Sequence, residues 1–196
     1  MMDRRLTAYN GRVAAIELKG QVEADKFVRG EVSRISTPVA DLRDTPNGSR
    51  QRQLLHGETL KIYDEMSESF FVQADKDQYV GYVSKEAITQ SSVQPTHIIS
   101  VPLCHTYPYP DVKSEPTLQL TMGAKVIAVR GRNGFYETEL GWISKKSASL
   151  IPTPFSDPVA VAEILVQSPY LWGGNSTLGI DCAGLVQLSC NLCQIA

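Results

Sequence analysis

Between residues 33 and 150 the chain alternates short apolar runs with turn residues. The runs are rich in Val, Ile, Thr, Tyr and Phe, and Asn-Gly, proline and aspartate separate them. This alternation is typical of short strands in small antiparallel sheets. The pattern therefore predicts a mainly β chain.

One segment of this β-rich region occurs twice. GYVSKEAI at 81–88 and GWISKKSA at 141–148 share glycine, an aromatic residue, a β-branched residue, serine and lysine in the same order. Two copies about 60 residues apart indicate two small barrels, the first over 33–92 and the second over 93–150.

A second pair of similar segments lies upstream of the first. HGETLKIYD at 56–64 and MGAKVIAVR at 122–130 each place a glycine before an alternating strand. This order of elements resembles bacterial SH3-like domains, in which a glycine and a strand open the barrel and a Gly-aromatic-β-branched strand closes it. The resemblance covers roughly residues 35–150.

Helical patterns flank the β region. Residues 1–32 have a loosely helical spacing of apolar side chains among many charges, which predicts an N-terminal helical arm. Prolines around 151–158 predict a linker. Asp157 is a good N-cap and Pro158 suits the first helical position, so a buried helix is expected to open a last domain over 159–196.

The charge and the apolar runs limit the partners of the chain. The net charge is −2, and lysines and arginines are scattered, so we expect no nucleic-acid partner. The longest apolar run near the start is VAAI, shorter than the ~7 to 15 residues of a signal-peptide core. No run reaches the ~18 residues of a spanning helix. We therefore expect a cytoplasmic protein without a membrane partner.

The cysteines do not form a recognisable framework. Cys104, Cys182, Cys190 and Cys193 are too few and too unevenly spaced for a secreted disulfide scaffold, so free thiols are expected. Cys190 and Cys193 form a C-x-x-C without the second pair of a zinc site. We interpret Cys190 and Cys193 as two buried cysteines one turn apart on a helix. We expect no metal and no cofactor.

The stretch PYLWGGNSTLGIDCAGLVQ at 169–187 places Cys182 directly after a glycine-rich loop. Asp181 can cap a helix that begins with Cys182, and the unpaired N–H groups of its first turn favour a thiolate and can bind an oxyanion. The Asp181 carboxylate is expected to face backbone N–H groups or a substrate amine. Tyr170 is the candidate for a second oxyanion donor. The stretch therefore predicts a nucleophilic cysteine.

The string P-Y-x-W-G-G-x-x-x-x-x-x-D-C-A-G-L-V within this stretch resembles the nucleophile region of the NlpC family of bacterial cell-wall cysteine peptidases, which are similar to a stripped-down papain. SH3-like domains recur in front of such catalytic domains. The resemblance implies a cysteine endopeptidase that binds peptidoglycan-derived peptides and cleaves the bond between γ-D-glutamate and a diamino acid during cell-wall recycling. The implied fold is two SH3-like barrels followed by the N-terminal, helical part of a papain-like α+β domain.

The resemblance also implies roles for single residues. Cys182 matches the nucleophile, Tyr170 the tyrosine that helps bind the oxyanion, and Asp181 the carboxylate that contacts the free amine of the substrate. Trp172 and Ala183 fall in the substrate-binding part of the motif. Serine is often found where Ala183 stands, so any hydrogen bond from that hydroxyl is missing.

The first SH3-like domain lines the substrate cleft in the related enzymes. Glu86, just after GYVSK, is a candidate for this role, and so is Tyr107 or Tyr109 in CHTYPYPD. No motif fixes these residues, and ordinary surface or barrel positions remain the alternative.

The family supplies its catalytic histidine from a sheet that follows the nucleophile helix. No histidine follows Cys182 here, and His56, His97 and His105 lie in the SH3-like region, where packing or surface roles suit them better. We therefore expect a fragment that lacks the catalytic sheet and is inactive alone. Its exposed helix faces would need cover from the SH3-like domains, a partner chain or self-association.

Two other functions remain open. The SH3-like pair suits a non-catalytic protein that binds wall peptides or acts as a scaffold. The same thiol chemistry also suits an acyltransferase, since related folds carry out both reactions.

Overall fold

The computed structural model of the chain describes residues 3–91, 93–152 and 155–195. Strands dominate these residues and helices are few, so the predicted mainly β fold class is confirmed. The chain divides into two compact units. The first contains residues 1–54 and 58–92, and the second contains residues 55–57 and 93–196.

The first unit is built from antiparallel strands with a small N-terminal addition. Its strands are β1 Val13–Ala15, β2 Lys26–Val28, β3 Glu31–Ile35, β4 Val39–Arg43, β5 Arg50–Leu55, β6 Thr59–Glu65, β7 Ser69–Ala74, β8 Val80–Ser84 and β9 Ile88–Thr89. The last seven form one sheet in the order β5-β4-β8-β7-β6-β3-β9. Its core contains the fully buried Leu42, Leu54 and Leu60, because inward positions alternate with polar outward ones.

The predicted helical arm over residues 1–32 is wrong. The described part of this segment holds the parallel pair β1 and β2 and a single 3-10 turn at Ile16–Leu18. Gly11 and Gly20 have φ of 94° and 84°, and such left-handed positions interrupt an α-helix. The segment packs instead on strands β6 and β7, where Ala8 and Ala15 join Tyr63 and Phe71 in a small buried cluster.

The second unit begins with a further set of short strands. They are β10 His97–Ile99, β11 Leu103–Thr106, β12 Leu118–Thr121, β13 Lys125–Val126, β14 Ala128–Arg132, β15 Phe135–Thr138, β16 Gly141–Ser144 and β17 Ala148–Leu150. They pair as β13-β10-β17, β11-β12 and β14-β15-β16. Their core includes the fully buried Ile99, Leu120 and Ile143.

The two copies of the sequence repeat adopt the same local structure. Strand β8, a 3-10 turn at Lys85–Ala87 and strand β9 correspond to strand β16, a 3-10 turn at Lys145–Ser147 and strand β17. The glycines that open the two upstream segments, Gly57 and Gly123, both have positive φ, at 75° and 91°. Similar residues at similar spacing therefore produce similar backbone in both copies.

The rest of the second unit contains both α-helices of the described residues. They are α1 Pro158–Leu165 and α2 Cys182–Leu192, with the short pair β18 Asn175–Ser176 and β19 Gly179–Ile180 between them. The Asp157 side chain accepts a hydrogen bond from the Val159 N–H, and Pro158 occupies the first turn, so the predicted helix start is confirmed. Residues 153 and 154 of the predicted linker lie outside the described residues.

Helix α1 is less buried than its sequence predicts. Val161 and Leu165 are buried, whereas the side chains of Val159, Ile164 and Val166 are exposed. The expectation of a helix buried around most of its surface is therefore wrong for the described residues. Neither described helix has the length and apolar character that crossing a bilayer requires.

Candidate active site

Helix α2 presents Cys182 at its first position. Asp181 is the N-cap in extended conformation, and its Oδ1 accepts a hydrogen bond from the Gly184 N–H at 2.7 Å. The predicted position of Cys182 in the first turn of a capped helix is therefore confirmed. The Cys182 thiol is free and exposed, so a reagent or substrate can reach it.

Asp181 also fixes the loop in front of the helix. Its second oxygen, Oδ2, accepts from the Gly173 N–H at 2.8 Å, and its own N–H donates to the Gly174 carbonyl at 3.2 Å. Both carboxylate oxygens thus bind backbone N–H groups, which is one of the two orientations expected from the sequence. One side chain therefore connects the glycine-rich loop to the start of α2.

The loop glycines permit a close approach of backbone to backbone. A Cβ built on Gly184 would lie 2.2 Å from the Gly174 carbonyl oxygen, and one built on Gly174 would lie 2.4 Å from the Gly179 carbonyl oxygen. Gly173 has a φ of 72°, a conformation that favours glycine. Side chains at these positions would push the loop away from Cys182.

Side-chain hydrogen bonds connect the hairpin of β18 and β19, which follows the loop, to other parts of the second unit. Asn175 is 1% exposed, and its Nδ2 donates to Gln187 Oε1 of α2 at 3.4 Å. At the hairpin turn, Thr177 Oγ1 donates to the Pro102 carbonyl at 2.7 Å. Sequence reasoning missed these supports, since amide and hydroxyl side chains in a loop give no signal of their distant partners.

Backbone N–H groups at the start of α2 are available as donors. Among residues 155–195, the N–H groups of Cys182 and Ala183 have no acceptor. The first N–H groups of a helix have no partner within the helix, and the cap at Asp181 does not accept from these two. Tyr170 forms an isolated parallel bridge with Ile180, and its side chain is 69% exposed, as is that of Trp172. An exposed thiol beside free backbone donors can attack a carbonyl carbon and bind the oxygen that becomes negative.

The two substrate-binding candidates from the β-rich region lie in different units. Glu86 is exposed in the 3-10 turn after β8, in the first unit. Tyr107 belongs to the second unit, where its backbone pairs with Trp142 through hydrogen bonds of 2.8 and 2.7 Å. The Tyr107 ring packs edge-on against Phe135 at 6.1 Å. The role of either residue in binding substrate stays a prediction.

Each histidine has a local partner away from Cys182. His56 Nε2 lies 3.2 Å from Glu139 Oε1, and His105 Nε2 lies 3.1 Å from the Gln119 amide. His97 is buried against Tyr136 at 4.4 Å between ring centroids, and burial lowers its pKa. The described contacts therefore show packing and surface roles for all three.

The remaining cysteines offer no metal site in the described part of the chain. No group of three or more His, Cys, Asp or Glu side chains comes together there. Cys104 is buried, whereas Cys190 and Cys193 are half-buried at the end of α2, so the expectation that the pair is fully buried is wrong. Burial, with a smaller effect from Asp157, raises the pKa of the Cys193 thiol.

Comparisons with known proteins agree with this architecture. Residues 42–88 match the family model described as the bacterial dipeptidyl-peptidase Sh3 domain. The chain is 23% identical over 163 residues to dipeptidyl-peptidase 6 of Lysinibacillus sphaericus, a match that covers 70% of this chain and 59% of that protein. The chain thus spans about three fifths of the length of this curated relative.

Two solved structures share the fold. One is an NlpC/P60 family protein from Bacillus cereus ATCC 10987, with a TM-score of 0.67, 17% identity and coverage of 81% of this chain and 72% of that chain. The other is an NlpC/P60 endopeptidase from Photobacterium damselae subsp. piscicida, with a TM-score of 0.57, 12% identity and coverage of 92% and 46%. The fold shared with these NlpC/P60 proteins and the match of residues 42–88 to a bacterial Sh3 domain confirm the resemblance to the NlpC family with an SH3-like domain.

Proposed function

We propose that this chain carries the nucleophile half of a cysteine endopeptidase that cleaves peptidoglycan stem peptides between γ-D-glutamate and a diamino acid. The observation that carries the proposal is the exposed Cys182 at the start of α2, next to N–H groups without acceptors. The names of the similar proteins support a peptidase, and one of them is an endopeptidase.

In the proposed reaction, the Cys182 sulfur attacks the carbonyl carbon of the γ-glutamyl amide. The C–N bond then breaks, the diamino acid leaves with its nitrogen protonated, and water hydrolyses the thioester to regenerate the thiol. The Cys182 N–H and the Tyr170 hydroxyl would bind the oxyanion. Asp181, which already holds the loop, would also accept the free amine of the substrate.

The wider arrangement proposed is a pair of SH3-like barrels in front of a papain-like catalytic domain. The family match at 42–88 supports the first barrel. The repeated strand, 3-10 turn and strand at 141–150 support a second barrel of the same kind. We place this protein in the cytoplasm, where fractionation of cells should recover it.

We also propose that the chain does not hydrolyse peptides on its own. A cysteine nucleophile needs a neighbouring base, and the described contacts of His56, His97 and His105 are with residues other than Cys182. The same observation favours a second candidate function, a protein that binds wall peptides without cleaving them.

Alkylation of Cys182 tests the site. Iodoacetamide should label Cys182 faster than the buried Cys104, and saturating L-Ala-γ-D-Glu-meso-diaminopimelate should slow labelling of Cys182 alone. Tri-alanine at the same concentration serves as the control peptide. Equal labelling of Cys182 with and without the stem tripeptide would refute substrate binding at this thiol.

Release of the diamino acid tests the proposed inactivity. The 196-residue chain should release none from the same peptide, as should Cys182→Ala. If the chain releases diaminopimelate and Cys182→Ala does not, the proposed inactivity is wrong, and substitution of each histidine would then identify the base.

A further inference from the structure

The first unit contains a groove that the proposed reaction does not use. Its volume is about 680 Å³, within the ~300 to 1,000 Å³ typical of small-molecule sites. The N-terminal segment forms one wall, and strand β8 with the turn after β4 forms the other. The lining residues that matter are Arg4, Tyr9, Asp44, Gln51, Tyr79 and Tyr82.

The groove is held open by contacts on both walls. The Val80 N–H donates to the Arg5 carbonyl at 2.8 Å, which fixes the N-terminal segment against β8. The Tyr79 ring lies under the Arg52 guanidinium at 4.4 Å, and Arg52 is itself paired with Asp77 at 3.1 Å. Tyr82 packs on Phe71 with 5.4 Å between ring centroids. The rings of Tyr79 and Tyr82 therefore have packing partners before a ligand binds.

Two charged side chains at the groove have no oppositely charged partner among the described residues. Arg5 and Arg12 bind Asp3 and Asp64, each at 2.7 Å. Arg4, by contrast, has no carboxylate within 4.0 Å among the described residues. Asp44 accepts a hydrogen bond from Gln51 Nε2 at 3.3 Å, and in the same described set no cation lies within 4.0 Å of it.

A guanidinium without a carboxylate partner, a carboxylate without a cation and tyrosine rings in the same groove match a ligand that carries both charges and an apolar part. We propose that this groove binds a short peptide with free ends, with its carboxylate on Arg4, its ammonium on Asp44 and an apolar side chain on the tyrosines. Arg4 contributes a planar pair of donors to the carboxylate, and Asp44 contributes an acceptor to the ammonium.

Calorimetric titration of the full chain with Ala-Leu-Ala tests the proposal. Each end of the peptide is then blocked in turn, by N-acetylation and by C-terminal amidation. A lost hydrogen bond to a charged group costs about tenfold in affinity, so each blocked peptide should bind about tenfold more weakly.

Variants assign each end to its residue. In Asp44→Asn the free peptide should bind as weakly as the acetylated one, and acetylation should have no further effect. In Arg4→Gln the same should hold for amidation. Arg29→Gln, an exposed arginine outside the groove, is the matched control and should bind like the parent chain.

Other results would overturn the proposal. These are no saturable binding of Ala-Leu-Ala, equal binding of free and blocked peptides, or equal binding by Arg4→Gln, Asp44→Asn and Arg29→Gln. The peptide contains no γ-glutamyl bond, and the readout does not involve Cys182, so the outcome is independent of the proposed hydrolysis.

Discussion

The first unit and residues 155–195 hold their shape by different means. The first unit closes an apolar core in which Leu42, Leu54 and Leu60 are fully buried, and its ion pairs include Arg12 with Asp64. Residues 155–195 leave several large apolar side chains exposed, among them Val159, Val186 and Trp172. Their loop depends instead on glycine contacts and on the two hydrogen bonds that Asp181 accepts.

The difference shows what each region needs. A closed core stabilises through area removed from water and tolerates variation at its surface. A nucleophile loop needs backbone groups at fixed positions, and close glycine contacts with a shared carboxylate supply them. Perturbations of the two regions should therefore differ in kind as well as in size.

The largest effect is expected from Leu42→Ala in the first core. Leu42 is 0% exposed, so the substitution leaves a cavity and should lower the free energy of unfolding by about 2 to 5 kcal/mol. Val186→Ala on α2, where the side chain is 63% exposed, is the control and should change stability by less than about 0.5 kcal/mol. Urea titration measures both. Comparable losses in the two variants would remove the distinction between the regions.

Gly184→Ala should have the next largest effect. Its Cβ would lie 2.2 Å from the Gly174 carbonyl oxygen, a backbone atom that cannot move without the loop. Overpacking of this kind costs about 1 to 3 kcal/mol, although alanine is the better helix former. Thermal unfolding and the rate of Cys182 alkylation should both change. Val186→Ala, at an exposed position of the same helix, should leave both unchanged.

Substitutions of Asp181 should give a graded loss. Asp181→Ala removes the acceptors of Gly173 and Gly184 together and should cost about 1 to 2 kcal/mol, the usual effect of losing an N-cap. Asp181→Asn keeps one acceptor oxygen and should cost less. Hydrogen exchange of the Gly173 and Gly184 amides measures the change directly. If the Gly173 and Gly184 amides exchange as slowly in both variants as in the parent chain, Asp181 does not hold the loop.

Local signals allowed part of this structure to be predicted from sequence. The cap at Asp157, the helix start at Cys182 and the repeated Gly-aromatic strand each depend on neighbouring residues, and the structure agrees with them. The N-terminal segment was predicted wrongly, because its strands pair with each other across the segment and Arg12 bonds Asp64, more than fifty positions away. The contact of Gly184 with Gly174 and the groove at Arg4 likewise depend on tertiary packing that no local pattern encodes.

The smallest effect is expected from acid titration of the Arg12 and Asp64 pair. Burial alone would raise the pKa of Asp64, but hydrogen bonds from Arg12 and Asn10 outweigh it and hold that pKa below its ordinary value of 3.8. A carboxyl with a lowered folded-state pKa stabilises the fold fully above 3.8, and this contribution disappears as the pH falls through the lower folded-state value. Arg12 is 55% exposed at its side chain, so the pair should contribute only about 0.2 to 1 kcal/mol.

Arg12→Gln isolates this contribution. The parent chain should lose slightly more stability than Arg12→Gln between pH 5 and pH 2.5, because the variant lacks the cation that lowers the pKa of Asp64 (about 1 kcal/mol at most). Arg29→Gln removes an exposed arginine of the same segment that has no described ion pair, and it should follow the parent chain. If the pH profiles of the parent and Arg12→Gln coincide, the ion pair does not help to hold the N-terminal segment on β6 and β7, and the apolar cluster around Tyr63 and Phe71 accounts for its attachment.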